Sequence, residues 1–247
     1  MIIANWKCNG NKAMIDAWFK TYIKDSEESN GLFIGIAPPT IYIERVANIA
    51  KKNSLQIMTG SQDVDISSGA RTGAISIEMI LDNNCYFSII GHSERRELFN
   101  ENNNDIRQKI IKTMDKTLPI LCVGETLADN KKNLTKDILR EQLEVIDNLE
   151  FKNELVIAYE PVWAIGSGLT PDPKDINEIH KFIKDVVQSI TNNSANPSVL
   201  YGGSVNSANA TSFFSEEYVD GALVGGAALD GSSFAEIVNL YNGIKQQ

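Results

Sequence analysis

The sequence predicts an α/β protein, a single (β/α)8 barrel of eight parallel strands with outer helices spanning residues 1–247. Three observations carry that expectation. Eight short runs are continuously rather than alternately hydrophobic, the pattern of strands buried on both faces in a parallel sheet. Segments of helical period separate them, so each strand is followed by a helix. No linker or low-complexity stretch divides the chain, and eight βα units in about 250 residues match the usual size of this architecture. A doubly wound open sheet is the alternative, but no G-x-G-x-x-G follows the first strand.

In order, Ile2 to Trp6 reads as the first strand and Lys12 to Glu28 as the amphipathic helix after it. Leu32 to Ala37 is the second strand, stopped by Pro38-Pro39, with a helix running on to about Lys52. Leu55 to Thr59 is the third, followed by a polar loop from Ser61 to Thr72 and a short helix. Tyr86 to Ile90 is the fourth, and Leu118 to Val123 the fifth, with a helix from Asn102 to Met114 before it. From Lys131 to Leu149 the residues Leu134, Ile138, Leu139, Leu143 and Ile146 recur at helical spacing and predict a helix. Leu155 to Ala158 is the sixth strand. The helix beyond it opens with Asp172 at a capping position and Pro173 in the first turn, and Ile176, Ile179, Ile183, Val186, Val187 and Ile190 form its core face. Val199 to Tyr201 and Val219 to Val224 complete the strands, and Ser233 to Leu240 closes the chain as a helix.

Charge and cysteine usage exclude several function classes. With 23 basic and 32 acidic side chains the chain carries −9, which argues against a nucleic-acid or anionic-membrane surface. An anionic substrate then needs a locally positive pocket. Cys8, Cys85 and Cys122 are odd in number and far apart, and His92 and His180 are the only histidines. Neither a disulfide framework nor a metal site is expected from that inventory. No apolar run reaches membrane-spanning length, and nothing at the N-terminus reads as a signal peptide. The expectation is a cytoplasmic enzyme or binding protein with no metal and no cofactor.

In a (β/α)8 barrel the chemistry sits at the carboxyl ends of the strands. Those ends carry Asn5 and Lys7, then His92, Ser93 and Glu94, then Gly124-Glu125, Glu160, Gly202-Gly203-Ser204 and Gly225-Gly226. The last two, with a short extra helix starting Gly226-Ala227-Ala228-Leu229, suggest a phosphate site, because glycine lets backbone N–H groups approach an anion. Either glycine pair alone would suit a tight turn; two at adjacent strands, one followed by Ser204, favour phosphate. Glu160 ends a buried strand just before Pro161 to Gly168, a segment stiff in its middle and free at its ends, the composition of a lid. A carboxylate at a strand tip beneath a lid points to proton chemistry kept away from water. Ser93 is expected to cap a helix, and His92 facing that N-terminus is pushed toward its neutral, hydrogen-bond-donating form. His180, on the flank of the face beginning at Ile176, reads as a core histidine. Lys7 beside Asn5 supplies positive charge, and Glu94 and Glu125 read as structural partners for neighbouring donors.

The motifs Asn5-Trp6-Lys7-Cys8-Asn9-Gly10, Gly91-His92-Ser93-Glu94-Arg95-Arg96, Ala158 to Gly166, Leu200 to Ser204 and Asp220 to Gly226 together resemble the triosephosphate isomerase family, in order and over essentially the whole chain. The resemblance implies the TIM barrel and the interconversion of dihydroxyacetone phosphate and D-glyceraldehyde 3-phosphate, in glycolysis and gluconeogenesis, through an enediol(ate). It implies Glu160 as base, neutral His92 as electrophile, and Lys7 and Asn5 as charge and donor on the same oxygens; this family is itself the standard example of that base and imidazole pairing. It further implies a phosphate held by the N–H groups of Gly166, Gly225 and Gly226 with Ser204. A homodimer is implied through the loop Gln62 to Ser76, with Thr72 reaching across to Cys8 of the partner subunit.

Two positions depart from the family pattern, and both bear on dimer strength. Ala74 stands where an acid would pair with Arg95, and Asp63 replaces a common asparagine. Cys8 is expected as a small buried apolar residue in preference to an exposed interface thiol. Two other functions compete. A retaining glycosidase using Glu160 with Glu94 or Glu125 needs carboxyl groups about 5 Å apart and an open cleft. A catalytically silent scaffold or surface-binding member predicts loss of Lys7, His92 or Glu160, and all three are present.

Overall fold

Eight parallel strands close on themselves in sequence order in the computed structural model, which describes residues 1–29, 31–165 and 169–245. They are β1 (Ile2–Asn5), β2 (Ile34–Ala37), β3 (Ile57–Ser61), β4 (Phe87–Ile90), β5 (Leu118–Val123), β6 (Val156–Tyr159), β7 (Ser198–Tyr201) and β8 (Ala222–Val224). The barrel shuts where β8 returns to β1, with Ile3 opposite Leu223. Around it lie α1 (Lys12–Asp25), α2 (Ile43–Lys52), α3 (Ile77–Asp82), α4 (Ser93–Leu98), α5 (Asn103–Thr113), α6 (Leu127–Lys131), α7 (Thr135–Leu143), α8 (Pro173–Ile190), α9 (Ala210–Phe214) and α10 (Gly231–Lys245). No described helix is long and apolar enough to cross a membrane.

Two apolar shells follow from the strand period of two. Ile3, Ile89, Ile120, Cys122, Val156, Ala158, Leu200 and Leu223 pack inside the barrel, while Ile2, Ala4, Ile90, Leu121, Ile157, Val199 and Val224 pack between barrel and helices. Phe87 fills much of the interior; a Cβ on Gly60 would lie 2.3 Å from its ring and one on Gly35 2.7 Å. The same alternation carries past the strand ends. Asn5 falls two residues after Ile3 and Glu160 two after Ala158, so both point into the barrel mouth.

Several elements differ from the sequence expectation. The predicted Lys131 to Leu149 helix is broken into α6, α7 and a 3-10 turn at Glu144–Ile146. Asn133 breaks it: its φ of 59° is left-handed, and its N–H and that of Leu134 bond back to Asn130 and Asp129. α6 itself begins earlier because Thr126 and Asp129 form a capping box. α4 and α9 are too short for periodicity to reveal. α1 stops at Asp25, capped by the Ser26 N–H on the Tyr22 carbonyl, and α10 runs beyond the expected Leu240. β3 starts two residues late because the Leu55 N–H still bonds the Ala50 carbonyl at the end of α2.

His180 is fully buried on α8, with Nδ1 3.1 Å from the Tyr218 carbonyl and no protein partner for Nε2. Burial outweighs that bond and lowers its pKa from 6.5 to about 4. The folded state therefore holds a neutral ring. Its contribution is full above pH 6.5 and is lost as pH falls toward about 4, on the order of 3 kcal/mol. Urea unfolding at stepped pH should show that loss in the wild type and a shallower acid slope in His180→Gln.

Candidate active site

One cavity of about 440 Å³ opens at the carboxyl ends of the strands and is lined by Asn5, Lys7, His92, Glu160, Ser204, Gly225 and Gly226. Every sequence-predicted site residue is therefore brought together except Gly166, which lies outside the described residues. Tyr159 and Glu160 leave β6 into a 3-10 turn at Val162–Ala164. That turn is the first half of the expected lid, whose last three residues, 166–168, lie outside the described residues.

Glu160 is buried, and both its oxygens are bonded. Oε1 lies 2.9 Å from His92 Nε2, and Oε2 accepts the Ser93 N–H at 2.9 Å. The sequence expectation of Ser93 as N-cap is corrected here: Ser93 is the first residue of α4, and His92 is the cap, its Nδ1 accepting the Glu94 N–H at 3.2 Å. That bond leaves the proton of a neutral imidazole on Nε2, where Glu160 accepts it. Burial raises the pKa of Glu160, but His92, the Ser93 N–H and Lys7 together outweigh it, and the net shift is downward. Burial likewise opposes charge on His92, and the facing Glu160 and Glu94 carboxylates more than offset it, so its pKa is raised. The two shifts share one cause, the contact between the groups. The amide directed at Nδ1 is a bond only the neutral ring can accept, and moving Glu160 away removes the main influence raising the histidine.

Lys7 has φ 51°, left-handed for a residue with a Cβ. Its N–H bonds Asn5 Oδ1 at 3.0 Å, and its carbonyl accepts from Gln62 Nε2 at 2.9 Å, while Gln62 also bonds the Ala37 carbonyl. Its ammonium meets Glu94 Oε1 at 2.6 Å. Gln62 was missed in the sequence, where it is one polar residue in a polar loop and nothing marks it. Glu125 is fully buried and accepts from Tyr159 Oη, Trp163 Nε1 and Asn130 Nδ2 at 3.0, 2.8 and 3.0 Å. With Glu125 saturated and Glu94 turned to Lys7, neither is a second carboxyl in the cavity, which disfavours the glycosidase reading. Ser204 Oγ donates to the Ala164 carbonyl at 2.8 Å, joining the loop after β7 to the 3-10 turn that follows β6. Among the described residues no group of three or more His, Cys, Asp or Glu is disposed to hold a metal.

Cys8 is exposed in the single chain, correcting the expectation of a buried apolar position. It follows the left-handed Lys7, where the backbone turns out of the barrel. Arg95 is neutralised within its own chain: Asp63 Oδ2 lies 2.9 Å from it and Glu101 Oε1 2.6 Å, and both acids also meet the buried Lys109. Asp63 thus supplies an acid for Arg95 that Ala74 cannot. Burial, opposed by Lys109, raises its pKa.

The triosephosphate isomerase family model matches residues 1–241. The chain belongs to the triosephosphate isomerase family. It is 44% identical to the triosephosphate isomerase of Buchnera aphidicola subsp. Schizaphis graminum, over 97% of this chain and 96% of that protein. It is 38% identical to the triosephosphate isomerase of Erwinia tasmaniensis over 96% of this chain and 95% of the relative. The triosephosphate isomerase of Escherichia coli O1:K1 is also 38% identical, over 100% and 98%.

Gly202 backs the Glu160 side chain. A Cβ there would lie 2.8 Å from Glu160 Cγ and 3.1 Å from the Tyr159 carbonyl. Gly202→Ala should therefore displace the carboxylate and lower isomerase turnover by about 10²-fold, with far-UV circular dichroism unchanged.

Proposed function

We propose that this chain interconverts dihydroxyacetone phosphate and D-glyceraldehyde 3-phosphate by proton transfer through an enediol(ate), with Glu160 as base and neutral His92 as electrophile. One observation carries the reading: Glu160 rests on the N–H of an imidazole whose other nitrogen is held by a backbone amide. The phosphate is gripped by the N–H groups of Gly225 and Gly226 with Ser204, and by Gly166 as the lid closes. The substrate carbon then lies beneath Glu160 and its oxygens face His92, Lys7 and Asn5. Asn5 Oδ1 is occupied by the Lys7 N–H, so its amide N–H groups are the end left for an oxyanion.

In the forward step Glu160 leaves Ser93 and takes a proton from C1 of the ketone, and the C2 oxygen gains negative charge. The same movement frees His92 Nε2–H to bond that oxygen. The C1 hydroxyl proton passes to the C2 oxygen through His92, which ends neutral again, and Glu160 returns its proton to C2 as the C1 oxygen becomes the aldehyde. Fixed donors stabilise such an oxyanion by roughly 3 kcal/mol each when one is measured by removal. The neutral histidine gives hydrogen-bonding strength without a charge that would trap the intermediate.

The unit of this function is one barrel domain in a homodimer, with the loop Gln62 to Ser76 seated on the partner and Thr72 at the crossing. Its free cysteines suit the reducing cytoplasm.

Coupled assay of glyceraldehyde 3-phosphate turnover tests the reading. Glu160→Gln should lower kcat by about 10²–10⁴-fold; equal activity would remove Glu160 from the chemistry, and an inactive, folded wild type would leave the silent-scaffold reading. Because Glu160 titrates below its ordinary 4.5, the acid limb of kcat/KM, counted on dianionic substrate, should lie below that pH. Sedimentation should give a dimer that Thr72→Arg weakens.

A further inference from the structure

Two tryptophans converge on one carbonyl. Trp6 Nε1 and Trp18 Nε1 both donate to the Ala228 oxygen, at 3.1 and 2.9 Å, and Ala228 itself is fully buried. That oxygen belongs to the single turn Gly226–Leu229, closed by the Ala228 N–H on the Gly225 carbonyl at 2.9 Å. The turn lines the cavity through Gly225, Gly226, Ala227 and Leu229, and Trp6 lines it too. Both lone pairs of the carbonyl are taken.

The indoles have little freedom to move. Trp18 is stacked on Tyr22 at 4.9 Å between ring centroids, with Phe19 at 5.1 Å and Phe234 at 5.8 Å. Trp6 stands edge-on to Trp18 at 5.6 Å. The Trp18 carbonyl also abuts Gly231, where a Cβ would lie only 2.1 Å away, so α1 and the start of α10 are packed to backbone contact. Trp6 directly precedes Lys7, and a Cβ on Gly225 would sit 3.5 Å from Lys7 Cε. The Ala228 oxygen therefore ties together the exit of β1 with its lysine, the helix α1, and the exit of β8 with its glycines.

We propose that Trp6 and Trp18 form a double indole clamp on Ala228 that sets the register between the Gly225–Leu229 turn and Lys7, making them positioning residues for phosphate affinity. This rests on the reading of the cavity as a triose phosphate site. Neither indole touches the reacting carbons, so the clamp acts on anion binding ahead of proton transfer. If one donor is lost the other holds the oxygen less firmly and the turn loosens; if both are lost a buried carbonyl is left unsatisfied and the turn must shift.

The test uses Trp18→Phe, which keeps an aromatic ring and removes the N–H, with inorganic phosphate as probe. Trp18→Phe should raise KM and the phosphate Ki together, about three- to fivefold, and move kcat less than twofold. Adding Trp6→Phe should raise Ki by more than the product of the single effects. Phe19→Leu disturbs the packing around Trp18 but keeps both indole N–H groups on the Ala228 oxygen, and should lower Tm while leaving Ki unchanged. Should the double variant fail to fold, hydrogen exchange in Trp18→Phe alone decides, with faster exchange expected at the 226–229 amides and none in β1 or β8. An unchanged phosphate Ki in Trp18→Phe, unchanged exchange at those amides, or an equal rise in Ki in Phe19→Leu overturns the clamp. Wild-type turnover is measured alongside; its absence overturns the site reading, whereas the exchange comparison still judges the clamp.

Discussion

The carboxylate of Glu160, held between the His92 ring and the Ser93 amide, is the contact on which the rest of the site depends. A buried ionised carboxylate without partners would cost several kcal/mol. Here both partners come from one place, the start of α4, and they come ready oriented because His92 caps the helix that supplies the Ser93 amide. α4 is fixed in turn by Arg95 on Asp63 and Glu101, and by Arg96 on the carbonyls of Gly91 and Cys122. Gly124 and Gly202 let β5 and β7 pass close behind Glu160. The Glu160 carboxylate is thus stabilised while ionised, in a setting it can leave by rotating its own side chain.

The barrel supplies the rigidity this needs. Its interior is packed through, with Phe87 occupying the space left by Gly35 and Gly60, so the strand tips cannot drift independently. Parity along each strand then selects which tip residue faces the mouth. Asn5 and Glu160 arrive there from strands far apart in the barrel order, each by the same count of two from an interior residue. The strained backbone of Lys7 is the exception, and it is held between Asn5 at the end of its own strand and Gln62, just beyond β3.

What could be read in the sequence tracks which interactions are local. The strands were legible because burial on both faces writes an unbroken apolar run, and residue type at each run's end was enough to collect Asn5, His92, Glu160, Ser204 and the glycines Gly225 and Gly226 as one group. The start of α8 was legible from Asp172 and Pro173, whose effects act within one turn. His92 as a cap was not, since serine is the commoner capping residue and an imidazole does so only when its ring turns back on the next amide. Asn133 gave no warning within an otherwise helical pattern. Gln62 and the pairing of Asp63 with Arg95 depend on partners dozens of residues away, and Cys8 owes its exposure to the left-handed turn at Lys7. Such contacts exist only once the barrel has closed.

Under the proposed function, a chain of net charge −9 must separate holding the phosphate from neutralising it. Distant acids matter little, because charges beyond about 8–10 Å are screened at ordinary salt. The nearest cation, Lys7, is already engaged with Glu94 at 2.6 Å, and both side chains are partly exposed. An exposed pair of this kind contributes about 0–1 kcal/mol, so an arriving anion can draw the ammonium away at small cost. Backbone N–H groups at Gly225 and Gly226 carry no net charge to attract bulk anions when the site is empty. Under the proposed function, those backbone donors define where the phosphate sits, and the Lys7 ammonium follows it. On this division, the accuracy of the grip is a property of the backbone turn, and the protein's overall acidity is no obstacle to it.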